Sequence, residues 1–147
     1  YYIQKENLEV AINPNPRERA SYLPENHEAL IGSGVLKILE GETEIVEGVA
    51  VKVSYGHTCG QQHVWIEDDT QALFFGGDLV ATPSHVSLPW VQGYDLQPLV
   101  AIEEKKKIYS ELISKNGWIF YQHDPKIKFS KIQKNEKGKF EPIDLQS

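Results

Sequence analysis

The sequence has no methionine and a single cysteine, Cys59, among its 147 residues. One cysteine excludes an internal disulfide framework and fits a reducing compartment, so a cytoplasmic protein is expected. The lack of methionine, with Tyr1 as first residue, predicts a processed, truncated or partial product. No apolar run approaches the ~20 residues that a membrane-spanning helix needs, and no charged-then-apolar leader opens the chain. Positive charge is scarce too: 15 Lys and Arg face 21 Asp and Glu, a formal net charge of −6. This argues against nucleic acid or an anionic membrane surface as the main partner. What remains, 40% hydrophobic and 24% charged residues, is an ordinary globular mixture, enough for one domain with its own core.

No repeat, low-complexity stretch or linker divides residues 1–147, so a single domain is expected, with 1–34 as an irregular, partly helical leading segment. A short helix is predicted through Leu8 and Ile12, ended by Asn13-Pro14-Asn15-Pro16. A second is predicted from Pro24 to Ile31. From Val35 to Tyr55 apolar residues alternate with polar ones, the period-2 signature of half-buried strands, with turns at Gly41 and Glu47-Gly48. Val64 to Ile66 and Ala72 to Phe75 read as another strand pair. A long loop is predicted over Ala81 to Pro98. It is followed by an amphipathic helix around Ile102 to Ile113, with Lys105 to Lys107 on its wet side and Gly117 at its close. Trp118 to Tyr121 and the alternation of Ile127, Phe129 and Ile132 give two last strands, with a turn at Lys137-Gly138.

Three of these strands are followed, within about two residues, by a side chain able to bind a metal. Tyr55 leads to Gly56-His57-Thr58, Phe75 to Gly76-Gly77-Asp78, and Tyr121 to Gln122-His123-Asp124. Two imidazoles and a carboxylate suit zinc or a similar divalent ion. Each residue alone also has a plain structural explanation, as a turn histidine, a loop carboxylate or a surface histidine. Their joint placement points to a site.

Gly56-His57-Thr58-Cys59-Gly60, then an apolar strand, Leu73-Phe74-Phe75-Gly76-Gly77-Asp78, and a helix and strand ending in His123, resembles the C-terminal half of metallo-β-lactamase fold hydrolases. The stretch through Ser84-His85, Pro89-Trp90, Tyr94-Asp95 and His123-Asp124-Pro125 is most similar to the branch with lactonase-like and organophosphate-hydrolase-like members. The resemblance implies an α/β (α+β) fold, half of a four-layered αββα sandwich with a mixed sheet and outer helices. It also implies a binuclear divalent-metal site, zinc by chemistry, with His57 on one metal, His123 on the other and Asp78 bridging them. Such enzymes hydrolyse esters, lactones, thioesters, β-lactams or phosphoesters of small molecules with a metal-held hydroxide. Around these residues, Thr58 and Asp124 are candidates to orient the imidazoles. His85, Trp90 and Tyr94 are candidates to line the substrate pocket.

The sequence departs from the family by lacking the HxHxDH motif of the other half, and by carrying Gln61 where a histidine often follows the glycine of GHTxG. His63 is expected to be structural. A catalytic zinc takes three protein ligands plus water, so this chain alone is expected to hold metal weakly or not at all. Half a sandwich would also expose an apolar sheet face, to be covered by the missing half or a symmetry mate. Two other readings stay open: a non-catalytic half-domain serving as an interaction or assembly module, and a mononuclear zinc binder using His57, Asp78, His123 and His85.

Overall fold

The computed structural model describes residues 1–147, and its largest element is one mixed sheet of seven strands. At the start, strand β1 (Tyr2–Gln4) runs into helix α1 (Lys5–Ile12), which buries Leu8 and Ala11. β1 pairs in parallel with β2 (Lys37–Leu39) to make a separate two-stranded sheet. Between them the predicted helix from Pro24 shrinks to a single 3-10 turn over Pro24–Asn26. The reason is burial: Leu23 and Ile31 are both exposed, so the segment has no apolar stripe to press against the body.

The large sheet follows chain order: β3 (Thr43–Val46), β4 (Val49–Ser54), β5 (Gln61–Glu67), β6 (Ala72–Phe75), β7 (Trp118–Phe120), β8 (Phe129–Lys134) and β9 (Phe140–Gln146). Every neighbouring pair is antiparallel except β6 and β7. A parallel pair needs a crossover, and α2 (Pro98–Ser114) provides it. Pro98 stands in the first turn of α2, where its missing N–H costs nothing. The helix ends with Asn116 in the left-handed region at φ +50° and the Gly117 N–H donating to Leu112 O at 2.7 Å.

The two faces of the sheet differ. Trp65, Phe74 and Ile119 lie opposite one another across β5, β6 and β7 and are buried. Above them sit Ala101, Ile108, Tyr109 and Leu112 of α2. On the other face Ile66, Leu73 and Trp118 form the corresponding row, and Phe75, Phe120 and Phe129 the next. Phe120 stacks on Phe75 and meets Phe129 edge-on, with centroids 5.0 and 5.1 Å apart. None of these side chains is buried, and Val64 and Ile66 are exposed. The structure therefore carries one sheet layer and one helix layer, the expected half of a sandwich.

Lys105 departs from its expected place on the wet side of α2. It is 1% exposed, because the period that buries Ala101, Ile108, Tyr109 and Leu112 carries position 105 inward as well.

Candidate functional site

His57, Asp78 and His123 leave β4, β6 and β7 at one end of the sheet and converge. His123 Nε2 lies 2.8 Å from Asp78 Oδ1, and His57 Nε2 lies 3.6 Å from Asp78 Oδ2. They open into a cleft of about 900 Å³. The turns that deliver them require glycine: a Cβ on Gly56 would stand 2.5 Å from Ala101 of α2, and Gly77 adopts φ +50° directly before Asp78. The Glu104 carboxylate of α2 accepts the N–H of Tyr55 at 2.6 Å and of Gly56 at 3.1 Å, fixing the exit of β4. Burial raises the pKa of this carboxyl while the two N–H donors pull it back.

The group that orients His57 is Asp95, not Thr58. Asp95 Oδ1 lies 2.8 Å from His57 Nδ1, its side chain is only 4% exposed, and Oδ2 accepts the Gln92 N–H at 3.0 Å. Thr58 instead donates to Glu18 and meets the Tyr22 hydroxyl at 3.0 Å. Asp124 does not support His123 either: its Oδ1 caps a turn by accepting the N–H groups of Lys126 and Ile127 at 2.9 and 2.8 Å. Those two bonds hold its carboxyl below the usual range. Of the three residues expected to line a pocket, His85 and Tyr94 border the cleft and Trp90 does not. Trp90 projects at 61% exposure and contributes its carbonyl to Lys105.

His63 is structural, as expected. Its ring is sealed between the Ser54 hydroxyl, 2.8 Å from Nε2, and the Phe75 carbonyl, 3.2 Å from Nδ1. Burial lowers its pKa to about 4. Two glutamines that carry no charge to signal them hold Asp78: Gln61 Nε2 donates to Oδ2 at 2.9 Å, and the Gln92 amide donates to the Asp78 backbone carbonyl. Burial, with the nearby charges of Glu6, Glu18 and Glu9, pushes the Cys59 thiol up and away from thiolate.

The donor chemistry fits part of a metal centre. Asp95 can only accept, so His57 donates from Nδ1, and in the neutral imidazole this leaves the Nε2 lone pair 3.6 Å from Asp78 Oδ2. Close by, Gln61 Oε1 is buried without any donor. A cation satisfies such an arrangement. No group of three or more His, Cys, Asp or Glu side chains able to hold a metal ion is gathered in this structure.

Among solved structures, a protein described as a probable metal-dependent hydrolase from Staphylococcus aureus matches 98% of this chain at a TM-score of 0.84 and 25% identity, over 50% of its own length. This chain carries half of a metallo-β-lactamase fold. The hydrolase AbOPH of the β-lactamase superfamily matches 99% of the chain and 55% of its own, with TM-score 0.78 and 16% identity. AidC, a dizinc quorum-quenching lactonase in complex with a product, matches 97% and 53%, with TM-score 0.69 and 21% identity. The chain thus spans about half the length of the structures it matches. No protein-family model and no curated protein matches the sequence. No helix is long and apolar enough to cross a membrane.

Proposed function

We propose that this chain is one half of a metal-dependent hydrolase domain acting on an ester, lactone or phosphoester of a small molecule. The observation that carries the reading is the meeting of His57, Asp78 and His123 at the mouth of a cleft, with Asp95 held against His57 Nδ1. The solved structures matched include metal-dependent hydrolases and a dizinc lactonase, which supports a divalent metal.

When bound, divalent ions supply Lewis acidity and a lowered pKa for water. His57 and Asp78 would hold one ion, and Asp78 and His123 a second. The chain's own residues orient and protect this set. Asp95 keeps the proton on His57 Nδ1, Gln61 and Gln92 fix both ends of Asp78, and His85 and Tyr94 face the substrate. The remaining ligands come from further polypeptide that also covers the apolar face of Ile66, Leu73, Trp118 and Phe129. That open face favours a second reading, a non-catalytic assembly module.

The test uses the full encoded protein, loaded with zinc and assayed on an ester, lactone and phosphoester panel alongside elemental analysis. His57→Ala and Asp78→Ala are each expected to remove bound metal and turnover together. Unchanged metal content and unchanged rates in both variants overturn the hydrolase reading, and a metal-free, inactive wild type supports the module.

A further inference from the structure

Glu104 and Lys105, adjacent on α2, are ionisable, drawn out of water and outside the set of candidate ligands. The Lys105 ammonium donates to the carbonyls of His85 and Trp90, 2.7 Å each, and the Tyr109 hydroxyl reaches the same His85 carbonyl at 3.4 Å. No carboxylate pairs with it; the one charge acting in its favour is that of Asp95, through space. Burying an ammonium with only carbonyls for company is costly, and burial brings its pKa down to about 8. A methionine would fill the same channel without that cost, so volume alone does not explain a lysine here.

What the ammonium touches does explain it. His85 and Trp90 bracket a turn whose continuation supplies Gln92 and Asp95, the residues that hold Asp78 and His57. Opposite, Glu104 holds the backbone of Tyr55 and Gly56 that leads into His57. Neighbouring residues of one helix thus grip both segments that meet in the His57–Asp95 bond.

We propose that Lys105 is a positioning residue: its buried ammonium ties down the turn between His85 and Trp90, against the anchor given by Glu104, so that Asp95 engages His57 Nδ1. The proposal deepens the hydrolase reading and rests on it for the use made of His57. The geometry is tested without metal or substrate, on the full encoded protein, by amide hydrogen exchange and by the imidazole N–H proton resonance of His57. Lys105→Met is expected to stay folded, to exchange amides of residues 85–96 at least tenfold faster than wild type, and to lose the His57 signal. Lys106→Met, an exposed control, is expected to change neither.

If Lys105→Met does not fold, Lys105→Gln, which keeps a donor for one carbonyl, is read in its place and is expected to loosen the same segment partially. Wild-type exchange over 85–96 together with an intact His57 signal, in whichever variant folds, overturns the proposal and leaves Lys105 as core filling. A wild type inactive on the substrate panel sinks the hydrolase reading instead and does not touch these two signals.

Discussion

Phe74 and Phe75 are neighbours in β6 and have opposite fates. Phe74 is fully buried beneath α2, its ring 5.2 Å from that of His63 and 6.3 Å from that of Trp65. Phe75 points to the other face, half-buried, with Phe120 stacked beside it and no helix above. The contrast extends over the sheet. On the helix side even polar residues are finished: Ser54 with His63, the Tyr121 hydroxyl with Ser130 at 2.5 Å, and Lys52 with Glu111 at 2.9 Å. Apart from Val51, which is buried, the other side is a partly exposed apolar surface with no helix layer packed on it. A strand that is apolar on both faces belongs between two layers, and one of those layers is not made by these residues.

The sharpest way to break this comparison is to truncate each ring. Phe74→Ala is expected to cost about 3–5 kcal/mol, because it removes a large side chain from a closed core. Phe75→Ala should cost less, about 1–2 kcal/mol in this chain, since its ring is only partly buried and stacks on Phe120 without a layer above it. Urea unfolding of the two variants measures the difference. Equal costs would mean that the open face is sealed in solution.

His63 separates the faces by pH. Its folded pKa is about 4, below the unfolded value near 6.5. Between these values the unfolded chain binds a proton that the folded chain refuses, so stability falls as pH drops from about 6.5 toward 4, by about 3 kcal/mol in all. Above pH 6.5 this contribution is complete. His63→Gln, which keeps a donor and an acceptor, is expected to flatten that limb in unfolding titrations, whereas no residue on the open face should alter it.

At the site the same asymmetry sets the two imidazoles apart. His57 is locked by a buried carboxylate, while His123 is 47% exposed at its side chain and is held by Asp78 alone. Asp95→Asn is expected to weaken metal affinity of the full encoded protein about 10–100-fold, as the loss of a hydrogen-bond partner to a ligating histidine does. Asp124→Asn should leave affinity unchanged and affect only its own turn. Zinc titration against a competing chelator distinguishes them.

The sequence revealed the strands from β3 to β6: alternation marks β3 and β4 with Glu47-Gly48 at their turn, and short apolar runs mark β5 and β6. It also singled out His57, Asp78 and His123 by their place at strand exits, and the structure brings these three side chains together. Asp95 was hidden. It lies 38 residues from His57 in a long loop, and nothing along the chain says that the loop returns. Gln61 and Gln92 were hidden because a neutral amide has no charge to mark it. Lys105 was misplaced for the opposite reason: three successive lysines read as a solvated face, although helical spacing already set position 105 with Ala101 and Ile108.

The smallest effect is expected at Val64 and Ile66, exposed to 42% and 44% on the open face. Val64→Thr exchanges apolar for polar surface at nearly constant volume, and Ile66→Thr does so with the loss of one methyl group. In this chain alone their stability should stay within about 0.5 kcal/mol of wild type, as for surface positions generally, while self-association, read by sedimentation, should fall as the apolar patch shrinks. Where a further layer covers this face in the full encoded protein, the same substitutions set a hydroxyl inside packed side chains and should cost about 1–3 kcal/mol. A cost that appears only there locates the covering layer in the rest of the protein. A cost already present in the isolated chain, with sedimentation showing a dimer that the substitutions dissolve, assigns the cover to a second copy.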